Sequence, residues 1–218
     1  RKNIAKRLNL RIPKGFKRDE VISLYIPDIA LFIGLLLNKL HLTSVNRVYS
    51  TAYYLFGFLS SFRIKRFDVI YIRAGAGSKV ISRAKKFGKK VIVDYSSAHP
   101  NDIHKSLVQS KSKNALNMFE QRKNLWKMAI NDVIESDIVV VNSQYVMNSL
   151  IKNGITKNKI FINNLPIDVE KMPCKVLYKL TNQINIAYSG RFVSWKGCDT
   201  LLSVIEDLSH TYRNITLN

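Results

Sequence analysis

The chain has 218 residues, 46% hydrophobic and 23% charged, enough apolar material for one or two folded domains, so disorder is excluded as the default. Its 35 lysines and arginines against 15 aspartates and glutamates leave a formal charge of +20, which predicts attraction to nucleic acid, anionic lipid or phosphorylated small molecules without choosing among them. The two cysteines, Cys174 and Cys198, lie far apart with no C-x-x-C pairing, which argues against a disulfide framework or zinc knuckle and favours a reducing compartment.

The chain opens on Arg1 rather than methionine, within the basic "RKNIAKRLNLRIPKGFKR", and a missing N-terminus is the expectation. Residues 21–26, "VISLYI", read as a strand, and Pro27 and Asp28 as the start of a helix containing Ile29–Leu37. That apolar run is too short to span a bilayer, which takes about twenty residues. Val48–Phe62 reads as a second helix rich in Tyr and Phe. Its aromatic residues are read as core, with a membrane-facing surface beside the basic N-terminal residues as the alternative.

Residues 68–95 contain a strand ("DVIYIR"), a turn ("AGAG"), a helix ("SKVISRAKKF") capped by Gly88, and a second strand ("KKVIVDYS"), which is a β-α-β unit. Residues 104–134 are expected to include one long helix packing on the sheet. The strand–helix grammar returns at "SDIVVVN", with Ser143 as N-cap of the next helix, Gly154 beyond its end and "KIFIN" as a strand. Residues 165–182 hold two prolines and no clean period and read as a connection. The pattern restarts at "INIAYS", so the expected division is a first domain over 1–164, a linker over 165–182 and the opening of a second domain over 183–218.

Three stretches carry chemistry. In "SGRFVSWKG", Gly190 permits a sharp turn after a strand, Arg191 can fork onto phosphate oxygens, and Lys196 adds a point charge before a helix whose positive end points at the same place. A loop with two solvated cations is the alternative. In "VIVDYSSAHP", Ser97 and His99 fall at the carboxyl edge of the sheet, where open α/β sheets bind ligands; His99 with Asp102 and His104 could instead suggest a metal, but the spacing lacks a third ligand pattern. In "RAGAGS", Gly75 and Gly77 read as a structural turn, with a dinucleotide site completed by Asp94 as the alternative.

The order and spacing from "ESDIVVVNSQYVMNSLIKNGITKNKIFINNLPID" to "INIAYSGRFVSWKGCDTLLSVIEDL" resemble the retaining nucleotide-sugar glycosyltransferases of family 4. The resemblance covers about residues 68–210 and is strongest from 135 onward. It implies an α/β chain of the GT-B type: a Rossmann-like N-terminal domain with a parallel sheet, its first strand absent, and the start of a second Rossmann-like domain. It further implies that Gly190, Arg191 and Lys196 grip the donor diphosphate, that His99 acts near the sugar and acceptor, and that Gly75, Gly77 and Ser97 line the cleft.

The partners implied are a nucleotide-diphosphate sugar and a carbohydrate or lipid-linked acceptor, at the cytoplasmic face of a membrane with an anionic surface. Nucleic acid is disfavoured, because no RNA-recognition motif, zinc finger or obvious helix-turn-helix occurs. With no D-x-D in the chain, departure of the diphosphate is expected without a metal, and no cofactor is expected. Two departures stand out: Pro166 replaces a glycine expected in "NNLPID", although Asp168 is retained, and the family's paired glutamates would fall beyond Asn218. The rival from another class is a non-catalytic, basic polyanion-binding α/β protein.

Overall fold

The computed structural model describes residues 15, 17, 20–111, 113–171, 183–193 and 196–218. By its internal contacts the chain divides into two compact units, Arg1–Tyr95 with Arg122–Val140, and Ser96–Gln121 with Val141–Asn218.

In the first unit, helix α1 (Tyr25–Lys39) begins directly after the extended Leu24, so the strand expected at 21–26 is not formed. Pro27 sits in the first helical turn, where a missing N–H costs no intrahelical hydrogen bond. Helix α2 (Val45–Ser61) is opened by Ser44, whose hydroxyl accepts the Arg47 N–H at 3.3 Å and so satisfies one of the unpaired donors at a helix start. The chain then enters β1 (Val69–Arg73), α3 (Ser78–Lys86) and β2 (Lys90–Tyr95). These strands are parallel, in register from Val69 opposite Lys90 to Arg73 opposite Asp94. Helix α3 buries Val80, Ile81 and Ala84 while its Lys and Arg residues stay outward. Gly88, at φ 65°, ends it, with the Lys89 N–H returning to the Ala84 carbonyl, as a left-handed C-terminal cap requires.

The stretch 104–134, expected to include one long helix, holds α4 (Pro100–Gln109), α5 (Lys113–Glu120) and α6 (Lys123–Glu135), of which the 13-residue α6 is the expected one. Lys111 adopts a left-handed φ of 52° within a polar stretch that has no apolar stripe to carry a helix across it. Of the three, α6 buries most, through Ala129, Asp132 and Val133, and α5 buries Ala115. It is followed by β3 (Ile138–Val141), α7 (Gln144–Lys152) and β4 (Ile160–Ile162). Ser143 caps α7 by accepting the Val146 N–H, and Gly154 past its end has φ 91°, both as expected. The four strands form a parallel sheet in the order β1-β2-β3-β4. Val91, Val93, Val139 and Val141 of the sheet are fully buried, as are Val133 and Leu150, which is the near-continuous apolar character of strands covered on both faces.

Residues 163–168 carry no regular structure and Val169–Lys171 form a single turn; residues 172–182 of the expected connection lie outside the described residues, and Cys174 with them. The C-terminal part of the second unit holds β5 (Ile184–Ile186), α8 (Cys198–Thr211) and β6 (Ile215–Leu217), with β5 and β6 parallel in a separate two-stranded sheet. A parallel pair joined through a helix is a β-α-β unit, so the chain is α/β at both ends of the described sequence.

Close backbone approach explains one helical glycine. A Cβ on Gly57 of α2 would collide with the backbone carbonyl oxygen of Ala76, in the turn between β1 and α3. Neither backbone can yield without shifting an element. Gly57→Ala is therefore expected to destabilise the protein by about 2–3 kcal/mol, as overpacking does, whereas Thr51→Ala on the exposed face of the same helix should leave the urea midpoint nearly unchanged.

Candidate functional site

The glycine-rich turn after β1 closes on a side chain of the protein itself. Asp132 of α6 is 1% exposed, and its Oδ2 accepts the Gly75 N–H at 2.7 Å and the Gly77 N–H at 2.8 Å. Gly75 has φ 107°, a conformation that only glycine adopts without strain. A Cβ on Gly77 would fall on the Asp132 carboxyl carbon, 2.6 Å away. Burial pushes the Asp132 carboxyl above its usual range, and the two backbone donors pull it partly back. In a dinucleotide fold the corresponding N–H groups face a pyrophosphate; here an internal carboxylate holds them. Asp94, the acidic residue required by that alternative, is hydrogen-bonded to Tyr71. Both findings count against a dinucleotide site at this turn, and the structural reading of Gly75 and Gly77 holds.

His99 stands at the junction of β2 and α4, preceded by the half-buried Ser97. It is 9% exposed and is the N-cap of α4. Its Nδ1 accepts the Asn101 N–H at 3.2 Å, and its own backbone N–H donates to Ser149 Oγ at 2.9 Å. An Nδ1 that accepts carries no proton, so in the neutral ring Nε2 bears the hydrogen. Burial lowers the His99 pKa, and the neighbouring Asp102 charge offsets this in part. The ring is thus prepared as a neutral donor through Nε2.

Sequence reasoning missed what fixes His99. The Ser149 hydroxyl donates to Asp102 Oδ2 at 2.7 Å, Asn153 Nδ2 donates to the same oxygen at 3.1 Å, and Lys152 Nζ lies 3.4 Å from Oδ1. These contacts, the Ser149 hydrogen bond first, hold the Asp102 carboxyl below its usual range. The clamp ties the first turn of α4 to the last turns of α7. Its sequence signal was only a polar face (Ser149, Lys152, Asn153) on the helix that Ser143 caps.

His99 has a folded pKa below its unfolded value of about 6.5. The stability linked to its neutral state is complete above that value and is lost as pH falls toward the folded pKa. His99→Gln should therefore lose less stability than the native protein between neutral and mildly acidic pH, in denaturation curves taken at stepped pH.

The turn from Ser189 to Gly197 is braced by Tyr188. Its hydroxyl donates to the Arg191 carbonyl at 2.8 Å and receives the Cys198 thiol at 3.2 Å. The thiol contact is the main cause raising the Tyr188 pKa. Phe192 packs edge-on to the Tyr188 ring. Gly190 has φ 158°, a backbone that residues with a side chain rarely adopt, and a Cβ there would also press on the Tyr188 hydroxyl at 3.1 Å. Glycine at this position therefore serves both the turn and the close packing. Gly197, with φ 76°, is left-handed at the N-terminus of α8. Arg191 and Lys196 are exposed at the two ends of this loop, leaving their cationic groups open to a ligand. Residues 194 and 195 between them lie outside the described residues. Tyr188 and Cys198 were not singled out from sequence, since neither carries a charge.

A cavity of about 660 Å³ in the first unit runs along β1, between Val69–Arg73 and residues of α1 and α2 such as Leu31 and Phe56. It contains none of the site residues expected from sequence. Among the described residues no group of three or more His, Cys, Asp or Glu is placed to hold a metal ion. The three residues weighed as a metal set are otherwise engaged: His99 and Asp102 as above, and His104 beside Glu120 and Phe119. Searches against protein-family models, curated proteins and solved structures find no match to this chain.

Proposed function

We propose that this chain is part of a retaining GT-B glycosyltransferase that moves a sugar from a nucleotide-diphosphate donor to a carbohydrate or lipid-linked acceptor in cell-surface polysaccharide or glycolipid synthesis. In this reading residues 1–164 form the acceptor-side domain, 165–182 the connection and 183–218 the opening of the donor domain. The work is done in the cytoplasm, peripherally at the membrane face. The observation that carries the reading is the β5–turn–α8–β6 unit, in which two exposed cations flank the approach to a helix N-terminus. Such a terminus favours anions through its unpaired N–H groups and its dipole.

In the proposed mechanism Arg191 places a two-pronged hydrogen-bond donor on the diphosphate and Lys196 adds a second positive charge. Together they stabilise the negative charge that develops as the bond to the sugar breaks, work that a metal would otherwise perform. The departing oxygen takes up the acceptor proton. His99, held neutral, donates through Nε2 to a sugar hydroxyl and fixes the ring's position. Ser97, two residues before it, lines the cleft in this reading.

The charge of +20 favours a second reading, a non-catalytic polyanion-binding protein. Titration with nucleoside diphosphate and with a nucleic-acid duplex over a salt series separates the two. The transferase reading expects diphosphate to bind in preference to monophosphate, with a shallow salt dependence. A steep loss of duplex affinity with salt, with no preference for diphosphate, would favour the second reading instead.

A further inference from the structure

We infer that the outer face of α1 is a docking surface for an anionic lipid bilayer. Although the helix packs on α2, Ile26, Ile29, Phe32, Ile33, Leu36 and Leu40 remain exposed, Phe32 at 65%. They recur at helical spacing and form one broad stripe that runs the length of the helix, and Leu42 extends it into the following loop. A helix that is apolar on both its packed and its free sides calls for cover on the free side. Contiguous apolar surface of this kind marks an interaction site.

Charge identifies the occupant. From 21 to 67 the only carboxylate is Asp28, an exposed residue of the first turn of α1 that also lines the cavity. The same span carries Lys39, Arg47, Arg63, Lys65 and Arg66. Lys39 and Arg47 are exposed on either side of the loop that presents Leu40 and Leu42. A second copy of this chain would bring the same basic rim to the seam, with Asp28 the only carboxylate of residues 21–67 to pair across it. A protein partner would find almost no hydrogen-bonding group there, whereas interfaces between proteins mix polar with apolar area throughout.

An anionic bilayer satisfies both features. Aliphatic and phenylalanine side chains enter the boundary between headgroups and acyl chains, and the basic rim meets the headgroup charge. No helix among the described residues is long and apolar enough to cross a membrane, so α1 would lie along the surface. This deepens the membrane placement proposed above and rests on that reading only for its purpose. It would bring the chain to a lipid-linked acceptor.

The test is co-sedimentation of the 218-residue chain with phosphatidylcholine vesicles, with and without phosphatidylglycerol. Binding is expected only when phosphatidylglycerol is present, and added salt should weaken it. Lys39→Gln with Arg47→Gln should reduce it roughly thirtyfold, at about 1 kcal/mol per basic residue. Ile29→Gln with Ile33→Gln, both at exposed positions, should abolish it while leaving the circular dichroism spectrum unchanged. Should that pair unfold the chain, the charge variants still decide the matter. Equal binding to both vesicle types would overturn the inference, as would no binding to either. So would concentration-dependent dimerisation, lost in the Ile29 and Ile33 variant, without vesicle binding. Nucleoside diphosphate binding by the same variants should be native, so failure here is distinguishable from failure of the transferase reading.

Discussion

Asp132→Ala is expected to destabilise the protein by about 3–5 kcal/mol, since it strands two buried backbone donors that cost roughly 1–3 kcal/mol each when unsatisfied. That is a large part of the 5–15 kcal/mol that typically holds a domain together. The donors are the N–H groups of Gly75 and Gly77, and both go to the one Asp132 oxygen. Asp132→Asn keeps a carbonyl oxygen in place and should cost much less. A pH dependence separates the two variants further. Burial raises the Asp132 pKa in the folded protein, so the folded state holds its proton more tightly than the unfolded chain, whose value is about 3.9. The group's favourable contribution is complete below that value and is lost as pH rises through the folded pKa. The asparagine variant should therefore gain on the native protein as pH rises through this window, in urea denaturation at a series of pH values. A flat difference would mean that the carboxyl is not raised.

The second large effect concerns Arg191 and Lys196. If they hold a diphosphate, each makes charge-assisted contacts worth about 1.5–3 kcal/mol, so Arg191→Ala or Lys196→Ala should weaken nucleoside diphosphate binding roughly tenfold to a hundredfold. Arg191→Lys should recover only part of the loss, because a point charge cannot reproduce the two-pronged geometry of guanidinium on phosphate. Neither residue is buried, so thermal stability should stay close to native. Loss of affinity without loss of fold is the signature of a ligand contact. An equal loss for nucleoside monophosphate would instead indicate general attraction to anions.

The alternation of strands and helices was legible because it is written in local chemistry. Apolar runs such as "VIVDY" and "DIVVV" end in turn residues, Ser143 sits where a cap is needed, and Gly88 and Gly154 sit where a left-handed residue must. What escaped was whatever depended on partners distant in sequence. "VISLYI" has the composition of a strand, yet its first four residues take no regular structure and its last two enter α1. In residues 104–134 the apolar period pointed to one helix, α6, while the two shorter helices before it and the left-handed backbone at Lys111 left no such trace in the composition.

The sites divide in the same way. Gly190, Arg191, Lys196 and His99 were singled out because charge, glycine and histidine are conspicuous beside a strand end. Asp132 was read as part of an amphipathic helix, and only the fold brings it to glycines more than fifty residues away. The Ser149–Asp102 clamp and the Tyr188–Cys198 brace joined pairs whose members looked unremarkable singly.

The central claim is that the Gly190–Lys196 turn recognises a diphosphate. Its most direct measurement is a calorimetric titration of nucleoside diphosphate into the native chain and into the Arg191→Ala, Lys196→Ala double variant at one fixed ionic strength. The account predicts saturable binding to the native chain, displaced by inorganic pyrophosphate and lost in a double variant that still melts as the native protein does. Identical binding by the two proteins, or none by the native chain, would contradict it.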